Sequence, residues 1–123
     1  MPVVPLAAID FTELPGRASG DPLAGLDADG CSVRVVRVAP GRRTPHRHPD
    51  SIEVICVVAG TGEHWQGDTA TPVGPGDVAL VPRGVPHATV ATGDRELELV
   101  CFFPHPDLAA NIEELTGPVR TAL

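Results

Sequence analysis

The sequence predicts an all-β chain: a small barrel or sandwich of short antiparallel strands, with one short helix near the C-terminus. Three observations predict it. Glycine and proline are abundant, at 13 and 14 residues, and they punctuate short apolar runs. Several of those runs are rich in valine and isoleucine, whose branched side chains pack well on a pleated surface. Helical periodicity is confined to a single stretch late in the chain.

At 123 residues the chain reads as one domain over 1–123, with a barrel core over about 31–103. A chain of this size buries roughly two-thirds of its unfolded surface, enough for one core. Hydrophobic residues make up 42%, which argues against disorder.

The N-terminal part, 1–30, holds one short strand and a loop. LAAIDF, residues 6–11, suits the strand, and 15–30 carries glycine, proline and aspartate at loop-like density. CSVRVVRVA, 31–39, is a β-branched, roughly alternating strand that Pro40-Gly41 breaks. HRH, 46–48, resumes an extended segment before the Pro49-Asp50 turn. EVICVVA, 53–59, is apolar on both faces and so predicts cover on both sides, the outer one by a second subunit. Gly60-Thr61-Gly62 reads as a hairpin signal, and 63–66 and 69–73 as weaker strands around Gly67-Asp68. Gly74-Pro75-Gly76-Asp77 turns into VALVP, 78–82, and Arg83-Gly84-Val85-Pro86 turns into a strand over 87–91. After Gly93-Asp94, ELELVCFF, 96–103, is the last strand. In DLAANIEEL the spacing of Leu108, Ile112 and Leu115 predicts a helix over 107–115, capped by Asp107 and stopped by Gly117-Pro118.

The formal net charge is −7, which disfavours nucleic acid and anionic membrane surfaces as partners. No apolar run approaches membrane-spanning length. The opening MPVVPLAAIDF lacks the basic start and long apolar core of a signal peptide, so a cytoplasmic location is expected. All nine basic residues are arginine, a usage that points to a GC-rich bacterial source. Cys31, Cys56 and Cys101 make an odd set, each within an apolar run, and read as reduced, buried thiols.

The chemistry-bearing pattern lies in the middle of the chain. His46 and His48 stand two apart on an extended segment, so both side chains leave the same face about 6.5–7 Å apart. Glu53 follows across the Pro49-Asp50 turn, and His87 stands directly after a second turn, so strand pairing must bring it back to the others. Three nitrogens and one carboxylate oxygen suit one divalent transition metal, Fe(II), Mn(II), Ni(II), Zn(II) or Cu(II), rather than Mg or Ca. An octahedral ion with four protein ligands keeps two positions open for water, substrate or O₂, as catalysis needs. Glu53 sits among apolar neighbours, where an unpaired charge is costly and a metal would neutralise it.

The run from Gly41 through His46, His48 and Glu53 to Gly60 resembles the first of the two motifs of the cupin superfamily. The run Gly76 to His87, with Pro82 and Gly84 between, resembles the second. Gly41 to His46 is one residue shorter than the usual pattern, and Ala91 replaces an asparagine that often ends the second motif. Neither position is a ligand. The resemblance implies a cupin-type β-barrel, a double-stranded β-helix or jelly roll, with His46, His48, Glu53 and His87 as metal ligands, and it makes a homodimer the expected assembly.

Three function classes follow for a small-molecule substrate. The first is an O₂-dependent oxidoreductase of the dioxygenase type with Fe(II), in which Glu53 could detach to act as a base. The second is a non-redox metal-dependent lyase, isomerase or polyketide-type cyclase. The third is a binding module without turnover. The chain has no tyrosine or lysine to serve as a pocket acid, which weighs against the second class, although His64 or Glu63 could substitute. His64, just after the hairpin signal, reads as an exposed or half-buried strand residue more readily than as a ligand. Arg37 could hold a substrate carboxylate if its face looks inward, but a slip at Val35-Val36 would turn it to solvent, the favoured reading. Trp65, Phe102 and Phe103 are candidates for the pocket mouth, with core packing the commoner role. His105 and Asp50 read as structural.

Overall fold

Residues 2–41 and 43–116 are described here from a computed structural model of the chain. Their strands are β1 (Phe11–Leu14), β2 (Arg17–Gly20), β3 (Ser32–Val38), β4 (His46–Arg47), β5 (Glu53–Ala59), β6 (Gly62–Gln66), β7 (Thr69–Val73), β8 (Val78–Val81), β9 (His87–Ala91), β10 (Leu97–Phe103) and β11 (Glu113–Glu114). They form two antiparallel sheets, one in the order β1-β2-β3-β10-β5-β8 and one in the order β11-β4-β9-β6-β7. The two close into a small β-barrel, as predicted.

The central strands lie where their β-branched runs placed them. β10 is the keystone of the first sheet, with Leu99 opposite both Val36 of β3 and Val57 of β5. Alternation sends Val36, Val38, Ile55, Val57, Leu97, Leu99, Cys101 and Phe103 into the barrel, where they form the buried core with Val81 and Ala91. Leu97 and Val38 are fully buried and directly opposite each other, closing one end of the barrel.

Five expectations need correction. Residues 6–11 do not form one strand: Leu6–Ala8 is a 3-10 turn, and the strand begins at Phe11. The stretch 15–30 is not all loop, because Arg17–Gly20 folds back on β1 around Pro15-Gly16 and adds to the edge of β3. Its glycines and polar residues hid a strand that is short and lies near the sheet edge.

Gly60-Thr61-Gly62 is a corner between the sheets, not a hairpin. β5 pairs with β10 and β8, whereas β6 pairs with β7 and β9. Gly60, at φ +80°, lets the chain pass close to the Glu96 carbonyl, and a Cβ at Gly62 would collide with the Val90 carbonyl.

The helix predicted over 107–115 is one 3-10 turn, Leu108–Ala110, followed by β11, which pairs with β4. Asp107 does cap the turn, accepting from the Ala110 N–H at 3.2 Å. Helix formation gives way because Asn111, fully buried, is drawn into hydrogen bonds with the loop after β4. The predicted stop at Gly117-Pro118 lies outside the described residues. The cysteines are free, but only Cys101 is buried; Cys31 and Cys56 are half-buried.

Candidate metal centre

Strand pairing brings the distant histidine back. β4 lies beside β9 with His46 directly opposite His87. His48 lies two residues past His46, and Glu53 opens β5 in the facing sheet. The four side chains His46, His48, Glu53 and His87 offer ligand atoms that all lie within 4.8 Å of one another, and all four residues are buried.

Two of the rings are locked by their outer nitrogens. His48 Nδ1 donates to the backbone carbonyl of Asn111 at 2.8 Å, and His87 Nδ1 donates to that of Val85 at 2.9 Å. A carbonyl only accepts, so each neutral ring carries its proton on Nδ1 and turns the Nε2 lone pair inward. Both Nε2 atoms converge on Glu53 Oε1, at 3.1 Å from His48 and 2.8 Å from His87. His48 Nε2 makes no hydrogen bond there, and His46 Nδ1 is likewise buried without a partner. Inward lone pairs facing a buried carboxylate repel one another unless a proton or a metal ion lies between them. The donor set and its orphaned nitrogens therefore suit a divalent metal ion.

Burial would raise the Glu53 carboxyl, but contacts with His48 and His87 outweigh it and hold the group well below the ordinary carboxylate range. Burial, then the neighbouring His87, Arg17 and Arg43, pushes His46 well below the ordinary imidazole value, so its ring is neutral. Both groups thus stand in the protonation states that ligation requires.

The remaining site candidates separate. His64 is buried, contrary to expectation, and faces inward beside His87, with ring centroids 6.2 Å apart. Its Nδ1 donates to Thr89 Oγ1 at 2.9 Å, and its Nε2 accepts from the Gln66 amide at 3.0 Å. Gln66 also donates to the Leu80 carbonyl, which fixes the direction of that amide. Burial lowers His64 to about 4.

Phe103 lines the cavity and packs edge-on against His48 at 4.7 Å. Arg37 does not reach the cavity, because the inward row of β3 is Arg34 and Val36. Arg37 instead pairs with Glu98 at 3.2 Å and lies over the Phe11 ring at 4.1 Å. Trp65 alternates with His64 and Gln66 and so faces the opposite side of its sheet, away from the cavity lining. Phe102 is 37% exposed on the outer face. Asp50 is a turn residue whose N–H binds the Asn111 side chain, and His105 accepts from the Asp107 N–H.

Above the cluster opens a cavity of about 810 Å³. Its walls hold Arg17 and Arg43, both buried, which the sequence reading did not single out. Arg17 lay in a stretch that read as loop. Arg43 stands three residues before His46, but nothing in the spacing says whether it turns inward. Asn111 was hidden inside a helical pattern, with its rarity as the one available signal: it is the single asparagine of the chain.

A buried cluster of three histidines and one glutamate thus lies at the base of a cavity, inside a small barrel of two antiparallel sheets, and suits a divalent metal ion. The chain belongs to the cupin family, since the model of the Cupin domain matches residues 34–103. It is 39% identical over 90 residues to Protein SchB of Streptomyces halstedii, and 32% identical over 92 residues to germin-like protein 5-1 of rice. Those alignments cover 69% and 70% of this chain but only 64% and 42% of the relatives. Among solved structures it resembles Pac13, a nucleoside dehydratase of Streptomyces, with a TM-score of 0.74 and 18% identity over 94% of this chain and 91% of that one. It also resembles the oxalate decarboxylase of Lactobacillus farciminis, with a TM-score of 0.74 and 21% identity over 89% of this chain and 34% of that one. A sugar phosphate isomerase of Silicibacter pomeroyi gives a TM-score of 0.69 and 24% identity over 83% of this chain and 74% of that one. At these identities the likeness shows the shared fold.

Proposed function

We propose that this cupin is a metal-dependent enzyme acting on a small organic substrate, with Fe(II) as its ion and O₂-dependent oxidation as its chemistry. The observation that carries the metal reading is the convergence of His48 and His87 Nε2 on one buried Glu53 oxygen. His46, His48, Glu53 and His87 would hold the ion. Once bound there, it supplies open positions for substrate and O₂, or Lewis-acid polarisation of a substrate oxygen.

The chain's own residues define the rest. Glu53 lines the cavity and is assigned the role of proton acceptor. His64 has both ring nitrogens engaged, so it is assigned the orientation of Thr89 instead of direct proton transfer. Phe103 and Leu99 wall the base of the cavity with apolar surface and limit water there.

A second reading, a non-redox lyase, isomerase or polyketide-type cyclase, draws support from the chemistry named for the structural neighbours, a nucleoside dehydratase and a sugar phosphate isomerase. Oxygen uptake separates the two. The Fe(II) form, screened against aryl and enolisable acids, is expected to consume O₂ and the Zn(II) form to be inert. Equal turnover without oxygen, or with Zn(II), would establish the second reading instead.

A small-molecule partner fits the enclosed cavity, and a net charge of −7 speaks against nucleic acid. Among the described residues no helix is long and apolar enough to cross a membrane. We assign the protein to the cytoplasm, where its free thiols stay reduced. We assign it a homodimer through the outer face of the first sheet. There Val78 and Leu80 of the edge strand are 66% and 58% exposed, and Val58 and Phe102 extend the apolar surface.

A further inference from the structure

The cavity wall holds two buried arginines, and only one of them is hydrogen-bonded to a carboxylate. Arg17 and Arg43 are only 7% and 5% exposed, although both line the cavity. Arg17 is compensated, with Nη2 on Glu114 Oε1 at 2.8 Å and Nη1 on the Pro15 carbonyl at 3.0 Å. Arg43 is not. Its Nη1 donates to the Thr89 carbonyl, its Nε is buried without a hydrogen-bond partner, and among the described residues no carboxylate pairs with it. Burial, with Arg17 adding to it, lowers Arg43 to about 10, so it is still charged at neutral pH.

A buried guanidinium with an unbonded Nε is costly. The fold nevertheless holds it firmly. The Arg43 stem packs on the β1–β2 turn so closely that a Cβ on Gly16 would stand 2.9 Å from its Cγ. The same Thr89 that receives Arg43 is held by His64, so the arginine is tied to the strand that carries His87. The Asp10 and Asp21 carboxylates also line the cavity, but Asp10 is exposed and Asp21 is drawn to Arg34 at 3.3 Å.

Much of the remaining wall is apolar. Val4, Leu14, Leu26, Leu108 and Ile112 contribute from the two terminal segments and the loop after β2. A cavity of about 810 Å³ lies within the range that encloses most of a drug-sized molecule.

We propose that Arg43 is the anion anchor of the substrate, and that the substrate is an organic acid with a bulky apolar body whose carboxylate or enolate oxygen meets this guanidinium. The proposal rests on the cavity being the substrate site, as argued above, but it concerns the arginine and not the ion. Both can therefore be tested apart.

The probes are 2-naphthoate and its neutral isostere 2-naphthamide, titrated into chelator-treated protein and followed by calorimetry. A charge-assisted contact with a buried guanidinium predicts that the acid binds on the order of tenfold more tightly than the amide. Arg43→Gln is expected to abolish that preference, while binding of the amide changes little. Arg43→Lys, which keeps the charge but not the fork, is expected to retain part of it. If Arg43→Gln does not fold, the lysine variant and the unsubstituted chain still decide.

Equal affinities for acid and amide would overturn the proposal. So would a preference that survives Arg43→Gln, or one that appears only after metal is restored, since the anion would then be held elsewhere. Metal content measured on the same samples reports separately on the ion.

Discussion

His48 is oriented by Asn111, which stands 63 residues away in sequence: the ring Nδ1 donates to the Asn111 carbonyl at 2.8 Å. The Asn111 side chain secures that carbonyl. Its Oδ1 accepts from the Asp50 N–H at 2.7 Å and its Nδ2 donates to Ser51 Oγ at 2.8 Å. The C-terminal segment thus acts as an outer brace for a ligand that sits on a different strand.

Asn111→Ala removes both side-chain bonds, leaves the Asp50 N–H without its partner and leaves the buried Ser51 hydroxyl only its bond to the Ile52 carbonyl. Metal affinity is expected to fall roughly 10- to 100-fold, as for other partners that orient a ligand. Stability should fall by about 1–3 kcal/mol. Competition with a chromophoric chelator measures the first and urea unfolding the second. Unchanged metal affinity would remove the bracing role.

His64 gives the metal-free protein an acid sensitivity with a defined sign. Burial lowers its folded-state value to about 4, below the ordinary imidazole value near 6.5. On acidification the unfolded state therefore takes up the proton first. The contribution of neutral His64 to stability is complete above about 6.5 and is lost as pH falls toward 4. Stability of the unsubstituted chain relative to His64→Gln should drop across that window and level off below it. Urea unfolding of both proteins at a series of pH values checks this; a difference that does not vary with pH would contradict it.

The outer face of the first sheet should mediate dimerisation. Leu80→Glu places a charge on the exposed edge strand of that face, at a side chain that is 58% exposed. Sedimentation equilibrium is expected to show a dimer for the unsubstituted chain and a monomer for the variant, with identical circular dichroism and metal content. A monomer in both would contradict the assembly.

The legible parts of this fold were those set by local pattern. The apolar-rich runs at Ser32–Val38, Glu53–Ala59 and Leu97–Phe103, the first two β-branched, became the central strands. The His46–His48 pair was legible because strand alternation alone fixes its common face. The parts that depend on remote partners were not. Asn111 leaves its helical pattern for a hydrogen-bond network 60 residues away, and Arg43 turns inward because the Thr89 carbonyl receives it there. Arg37 and Arg34 differ by a choice of face that a β-branched strand such as VRVVRV, apolar at both parities, does not declare.

The central claim is that the four-residue cluster is a metal centre, and metal stoichiometry tests it most directly. Elemental analysis of the purified chain, loaded with Fe(II) and freed of excess, is expected to give one ion per chain, and His46→Ala and His87→Ala are each expected to lose it while retaining the circular dichroism of the barrel. Full occupancy in either folded variant would contradict the assignment.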